Sequence, residues 1–363
     1  MKKLLLIFFF PAFLVSGCDI FNTAGSSKKK KIPAFEWREI NYFVSDSITS
    51  VNTDINGDLY IGSKKRWYVS SDSGKSFKRY KKPDSTHFSH IERRGDTYYA
   101  IGEVVVEDTF WHSPIMVDKQ EIYRSKDRWK WEKVIGPFKM YDIAFDDDNY
   151  MYISKLQGVV TVNLTDESKY HTNFYQNSWW GSIVDVVATN SKGDIFAGCK
   201  GGMFKSSDRG KTWNKITNSI GKDYDDIKFL EVDEQDRIIS IAVRRLLISN
   251  DDGQTWEKLR ELDSYNNLYE GRIRTFEGVY PLNMDIMQNG YLYYASSFGV
   301  NIAHPDSMTK FYNTGPKGYD YDRPFPYGEI KTFSNGDVLV YNSKKILFGK
   351  RNLNSEFWIQ RLK

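Results

Sequence analysis

Cysteine is nearly absent from the chain, with only Cys18 and Cys199 in 363 residues. Two thiols could make one bridge at most, so disulfide stapling is excluded as the source of stability. Proline is scarce at 10 residues, and no long heptad pattern is visible. A collagen-like, disordered or coiled-coil chain is therefore excluded. No apolar run reaches the ~20 residues of a membrane helix, which excludes a polytopic membrane protein. An excess of one charge is also missing: 51 basic residues face 47 acidic ones, for a net charge of +4. If Lys2 and Lys3 are removed with a leader, the remainder is near +2, too weak for a nucleic-acid partner. Aromatics are what the chain has in excess: 10 Trp, 24 Tyr and 23 Phe, or 16%. These residues favour strands, and Tyr and Trp carry a polar tip suited to contact surfaces. The length fits two ordinary domains or one large repeat domain.

The first 18 residues read MKKLLLIFFFPAFLVSGC. A basic start precedes a short apolar stretch, Leu4 to Val15, interrupted by Pro11. Val15-Ser16-Gly17-Cys18 then resembles a bacterial lipobox, with small residues before a nucleophilic thiol. The resemblance implies that 1–17 is a lipoprotein signal peptide and that Cys18 is lipidated. Residues 18–32 are then a flexible basic tether containing Lys28 to Lys31, which suits either anionic headgroups or simple solubility. A bacterial cell envelope follows as the location, facing the periplasm or exterior. The outer membrane is favoured over the inner, although Asp19 leaves that choice open.

An eight-residue pattern, S-x-D-x-G-x-[ST]-[WF], occurs three times. The copies are Ser70-Ser71-Asp72-Ser73-Gly74-Lys75-Ser76-Phe77, Ser206-Ser207-Asp208-Arg209-Gly210-Lys211-Thr212-Trp213 and Ser249-Asn250-Asp251-Asp252-Gly253-Gln254-Thr255-Trp256. A degenerate copy at 125–131 keeps Asp127, and another at 304–311 keeps Asp306 and a final Phe311. In such a turn the Asp accepts bonds from nearby N–H groups, and Gly permits positive φ. The pattern resembles the Asp-box, or BNR, repeat of sialidase-like β-propellers. The resemblance implies a structural clip at each Asp.

A second period supports the first. A turn followed by a β-rich run recurs at 56–62, 95–100, 148–153, 193–198, 236–240, 290–295 and 336–340, at spacings of 39 to 54 residues. Repeats of this length fit four-stranded propeller blades. The expected fold is all-β, a seven-bladed propeller over 33–363, with six or eight blades as alternatives. Residues 33–45 read as an extra outer strand that could help close the ring. Phe357-Trp358-Ile359-Gln360 reads as a rival fourth strand of the last blade.

Strand alternation puts four long connections on one face, opposite the boxes: 102–120, 174–182, 261–282 and 314–328. Long loops in a compact domain are often functional. They carry the candidate ligand-binding residues Trp111, His112, Trp179, Trp180, Tyr265, Tyr269, Arg272, Arg274, Tyr319, Asp320, Tyr321, Asp322, Arg323 and Tyr327. Flat rings beside hydrogen-bonding groups suit sugar faces or a protein hot spot. Asp142, Asp185 and Asp285 begin inner strands and could point into the central funnel, although solvated edge positions explain them as well.

The family resembled includes sialidases, xyloglucan-cleaving glycosidases, sortilin-type receptors and photosystem II assembly factors, so fold does not select function. A sialidase would need an arginine clamp, and its Arg-Ile-Pro motif has only Lys31-Ile32-Pro33 here. No Walker, Rossmann, zinc or Ser-His-Asp signature appears. The five histidines are dispersed, and Cys199 follows an apolar run as a buried thiol would. The expectation is a monomeric, lipid-anchored binding protein without cofactor or metal, whose partner is a glycan or an envelope protein. A glycoside hydrolase and an envelope assembly factor are the rival readings.

Overall fold

The computed structural model describes residues 34–355, except 41–47, 81–86, 174–182, 218–225, 262–283, 287–290, 314–328, 342–345 and short breaks at 55, 64–65, 111–112, 157, 167–169, 243–244, 297–298, 305–306 and 334. The described residues form strands and turns without a helix. β1 (Phe35–Glu39) comes first in the chain. The first sheet holds β2 (Ile48–Thr53), β3 (Leu59–Ser63), β4 (Trp67–Ser70) and β5 (Lys78–Tyr80). The second holds β6 (His87–Arg94), β7 (Thr97–Phe110), β8 (Ser113–Ser125) and β9 (Glu132–Phe138). The third holds β10 (Met140–Phe145), β11 (Tyr150–Lys155), β12 (Gly158–Asn163) and β13 (Tyr170–Asn173). The fourth holds β14 (Val184–Thr189), β15 (Ile195–Cys199), β16 (Gly202–Ser206) and β17 (Asn214–Lys215). The fifth holds β18 (Ile227–Val232), β19 (Ile238–Ala242), β20 (Arg245–Ser249) and β21 (Glu257–Glu261). The sixth holds β22 (Met284–Ile286), β23 (Leu292–Ser296), β24 (Gly299–His304) and β25 (Ser307–Asn313). The seventh joins β26 (Glu329–Thr332), β27 (Val338–Tyr341) and β28 (Ile346–Arg351) to β1.

The second and third strands of most sheets are apolar at successive positions, because both faces are covered. Ile195–Cys199 and Ile238–Ala242 are buried throughout. Each apolar cluster draws on two consecutive sheets. Trp67 and Phe88 join the first to the second, and Ile122 and Met151 the second to the third. Tyr152 and Val187 join the third to the fourth, and Phe196 and Ile227 the fourth to the fifth. Ile239 and Leu292 continue the series, followed by Tyr293 and Val338. Leu339, Phe348, Val51 and Ile61 then join the seventh sheet to the first, so the sheets close on themselves.

The closing segment is the N-terminal strand. β1 pairs antiparallel with β28, from Phe35 opposite Arg351 to Glu39 opposite Leu347. Phe35 is buried between the sixth and seventh sheets. Burying a Phe side chain contributes roughly 1.5–3 kcal/mol, which helps anchor this short strand. Residues 357–360 lie outside the described residues.

The connection expected at 102–120 is not a loop. β7 and β8 pair continuously from Tyr98 opposite Ser125 to Phe110 opposite Ser113. Val104, Val105 and Val106 favour extended backbone, so this stretch continues the hairpin instead of leaving it. The result is an arm that outruns its own sheet, since β7 pairs with β6 only as far as Glu103 and β8 with β9 only from Gln120.

Candidate functional site

The ring has two chemically different ends. At one end lie the eight-residue turns, between the third and fourth strands of their sheets. Asp208 accepts from the Thr212 N–H and hydroxyl (2.8 and 2.6 Å) and from the Ser206 hydroxyl (2.8 Å). Those bonds, the Thr212 hydroxyl first, hold its carboxyl down at about 2. Asp72 and Asp251 make the same bonds and are depressed for the same reason. Asp127 caps Trp129 and Lys130 (2.8 Å each), although its turn lacks the Gly. Gly74, Gly210 and Gly253 all have φ near +80°. Phe77, Trp213 and Trp256 pack against the sheet preceding their own. Asp306 lies outside the described residues.

The same end holds the second set of turns, those at 56–62, 148–153, 193–198 and 236–240, whose capping side chains the spacing did not reveal. Asp54 accepts from the Asp58 N–H (2.9 Å) and the Tyr60 hydroxyl (2.8 Å). Asp146 accepts likewise from the Tyr150 N–H and the Tyr152 hydroxyl. Burial first, and these carboxylates next, push both phenols far up. Asn190 and Asp233 cap the matching turns of the fourth and fifth sheets. The signal was an Asp six residues before a buried Tyr. The polar side chains of these turns are thus spent on their own backbone.

At the other end the innermost strands begin, and five of them begin with a β-bulge. The register slips between Ile48 and Ser50, Phe88 and His90, Met140 and Asp142, Val184 and Val186, and Ile227 and Phe229. Bulges re-aim side chains at rims and beside sites. The bulged residues are Thr49, Ser89, Tyr141, Asp185 and Lys228. Tyr141 is exposed, and Lys139 Nζ lies 5.8 Å from its ring centroid. Burial and the Asp185 charge raise its hydroxyl above the usual phenol value, so it stays a donor. Leu156 and Ile183 bridge the third and fourth sheets nearby, and both are exposed. A ring face, a carboxylate, an ammonium and two aliphatic side chains can thus meet a ligand at this end. The spacing signal was readable: the two apolar positions around each bulge are three residues apart, as in Val184 and Val187.

Asp142 is not a funnel carboxylate. Its Oδ1 accepts from the Ile143 N–H (2.9 Å), and its Oδ2 from the Val187 N–H of the next inner strand (2.9 Å). The bulge places Asp142 between two inner strands, where it sews their backbones together. Asp185 is half-buried beside Tyr141, and the side chain of Asp285 lies outside the described residues. So do Trp111, His112, Trp179, Trp180, Tyr265, Tyr269, Arg272, Arg274, Tyr319, Asp320, Tyr321, Asp322, Arg323 and Tyr327. The strand ends that bracket them, such as Asn173, Ile183 and Glu261, are at the bulged end. Among the described residues no three His, Cys, Asp or Glu converge as a metal site. No helix among them is long and apolar enough to cross a membrane. Cys199 is a buried thiol that accepts from the Gly201 N–H (3.3 Å).

No family model and no curated protein matches the chain in sequence. Solved structures do match in shape. Streptogramin B lyase superposes with a TM-score of 0.62 at 9% identity, over 88% of this chain and 98% of that one. The extracellular domain of the hybrid two component system BT4673 from B. thetaiotaomicron gives 0.61 at 12% identity. That match covers 90% of this chain and 44% of the larger one. YCF48 bound to D1 peptide gives 0.58 at 11% identity, over 88% and 98%.

The fold is a β-propeller. Sheets of a propeller stand radially around a central channel. The bulged strand starts therefore rim one mouth of that channel, and the propeller's long β7–β8 arm rises from the same end. At identities this low the likeness fixes the architecture and leaves the chemistry to the residues themselves.

Proposed function

We propose that this chain is a lipid-anchored, seven-bladed propeller of the Asp-box type in a bacterial cell envelope. It binds a glycan or a protein partner at the bulged mouth, without chemistry. The single observation that carries the binding face is the group Tyr141, Asp185, Lys139, Leu156 and Ile183 at that mouth. The opposite end has its carboxylates engaged by turn backbone. Seven sheets, seven clusters between them and three turns with the Asp-box pattern support the blade count and type.

The direction of β1 gives the anchor a geometry. β28 runs towards the turn end, and antiparallel β1 therefore starts there, with the Asn352 N–H bonded to the Ala34 carbonyl (2.9 Å). A tether over 18–32 would leave the ring at the turn end. It would reach about 50 Å when extended and would point the bulged mouth away from the membrane. The extracellular sensor domain among the neighbours is compatible with such a presentation. A hydrolase reading is weakened because Asp142 is committed to the wall.

A glycan array probed with the full chain in detergent tests the reading. Retained glycan without released reducing ends supports it, and loss of binding in Tyr141→Ala assigns the mouth. Turnover would overturn the non-catalytic claim. A glycan-negative chain that co-purifies with one envelope protein, again dependent on Tyr141, selects the protein partner. Binding that survives Tyr141→Ala would overturn the mouth. Cys18→Ser tests the anchor by moving the chain from the membrane to the soluble fraction.

A further inference from the structure

The β7–β8 arm is unlike the rest of the surface. Beyond Glu103 and Gln120 its two strands pair only with each other among the described residues. Strand alternation gives the arm two faces. Ile101 and Ile122 pack towards the third sheet, so Glu103, Val105, Glu107, Met116 and Asp118 lie on that side of the hairpin. All five are exposed, Val105 at 61% and Met116 at 65%. On the reverse side Val104, Val106 and Val117 are half-buried, and Lys119 pairs with Asp108 (2.8 Å). Residues 103–120 hold four carboxylates and one lysine, net −3, in a chain whose net charge is +4.

An open strand edge offers a row of N–H and C=O groups, which is a template for another strand. Proteins normally blunt such edges. Here the β8 edge carries Pro114, which cannot donate, but the β7 edge from Val104 to Phe110 has no proline. That edge continues the line along which β6 pairs as far as Glu103. Exposed Val105 and Met116 between carboxylates favour a partner with apolar and basic side chains on the same face.

We infer that the β7 edge of the arm is a strand-addition site for an extended, basic segment of another protein. Backbone bonds to Val104–Phe110 supply the pairing. Glu103, Glu107 and Asp118 select lysine or arginine, and Val105 and Met116 take the apolar positions between them. The site is separate from the channel mouth, so it stands or falls independently of Tyr141.

The probe is a fluorescent heptapeptide, acetyl-KTVTKTV-amide, whose alternate Lys and Val side chains share one strand face, titrated by anisotropy against the full chain in detergent. Three controls accompany it: the same peptide N-methylated at alternate amides, a glutamate analogue, and 0.5 M salt. The trimmed variant joins Glu103 to Gln120 through Asn-Gly; these residues face each other in register, so a two-residue hairpin closes there. We expect saturable binding, at least tenfold weaker for the methylated and glutamate peptides and lost in the trimmed chain. The double variant Glu107→Lys/Asp118→Lys, which keeps the arm, should lose the basic peptide and gain the glutamate one. Equal binding of the methylated peptide would mean that no strand is added and would overturn the inference. Equal binding by a trimmed chain with unchanged far-UV circular dichroism would overturn it too, as would absence of saturable binding.

Discussion

Arg209 lies over the ring of Tyr150, with its guanidinium carbon 4.2 Å from the ring centroid. Its Nη1 donates to the Tyr150 hydroxyl (2.9 Å), and its Nη2 pairs with Asp148 (3.1 Å). Arg209 belongs to the fourth sheet and its partners to the third, so the contact is a clasp between blades. The position recurs. Arg128 of the second sheet reaches Asp58 of the first (3.8 Å), and Asp252 of the fifth takes Lys192 of the fourth (2.9 Å), with the signs reversed. In the first sheet the Ser73 carbonyl accepts from Arg38 of the closing strand. All four residues have positive φ, which turns them out of their own hairpin towards the neighbour.

Arg209→Ala should therefore lower stability, although the site is exposed. An exposed ion pair contributes ~0.2–1 kcal/mol and a cation–π contact ~0.5–1 kcal/mol. A loss of about 1 kcal/mol is expected in urea denaturation. A double-mutant cycle with Asp148→Ala should show coupling of about 0.5 kcal/mol. Purely additive losses would mean that the ion pair contributes nothing.

Two glycines with the same backbone should differ on substitution. Gly57 and Gly253 have φ of +79° and +83°, so alanine strains both by roughly 1 kcal/mol. A Cβ on Gly57 would meet nothing within 4 Å, whereas one on Gly253 would collide with Ile216 Cδ1 of the preceding sheet. Gly253→Ala should cost at least about 1 kcal/mol more than Gly57→Ala, measured as the shift in urea midpoint. Equal shifts would show that only φ matters at Gly253.

The turn carboxylates make stability pH-dependent on the acid side. Asp208 has a folded value of about 2, below the ordinary 3.8. Its contribution is fully present above the unfolded value and is lost as pH falls from about 4 through about 2. Melting temperature should drop steeply in that window, and Asp208→Asn should flatten the drop while lowering stability at pH 7. An unchanged slope would remove Asp208 from the acid transition.

Cys199 should be silent in the native state. Burial pushes its thiol up to about 11, and only the thiolate reacts. Iodoacetamide at pH 8 should label the Cys18→Ser chain only after urea unfolding, as read by intact mass. Labelling of the native protein at the unfolded rate would contradict the buried position.

Much of this architecture was readable because it is local. The bonds of Asp208 all close within seven residues, from Ser206 to Thr212. Sequence spacing therefore exposes the turn directly. The apolar runs such as Ile195–Cys199 mark strands covered on both faces. The bulges were also present as a spacing of three, but a single strand does not say whether such a slip opens to a channel. The polarity of the mouth needed neighbouring inner strands to be side by side, as Tyr141 and Asp185 are.

Three features were decided only by tertiary structure. Phe35 finds Arg351 across the length of the chain, a pairing that no local pattern specifies. Residues 102–120 read as a long connection between two strands, yet cross-strand pairing between their own halves made an arm of them. Asp142 was open to the funnel or to a solvated edge, and its bond from the Val187 N–H of the next sheet puts it in the wall instead. Alone, then, the sequence determined the strands, the capped turns and their period, because hydrogen bonds within a few residues impose those. Ring closure, the arm and the surfaces open to a partner follow from non-local register, where one slipped residue re-aims a side chain.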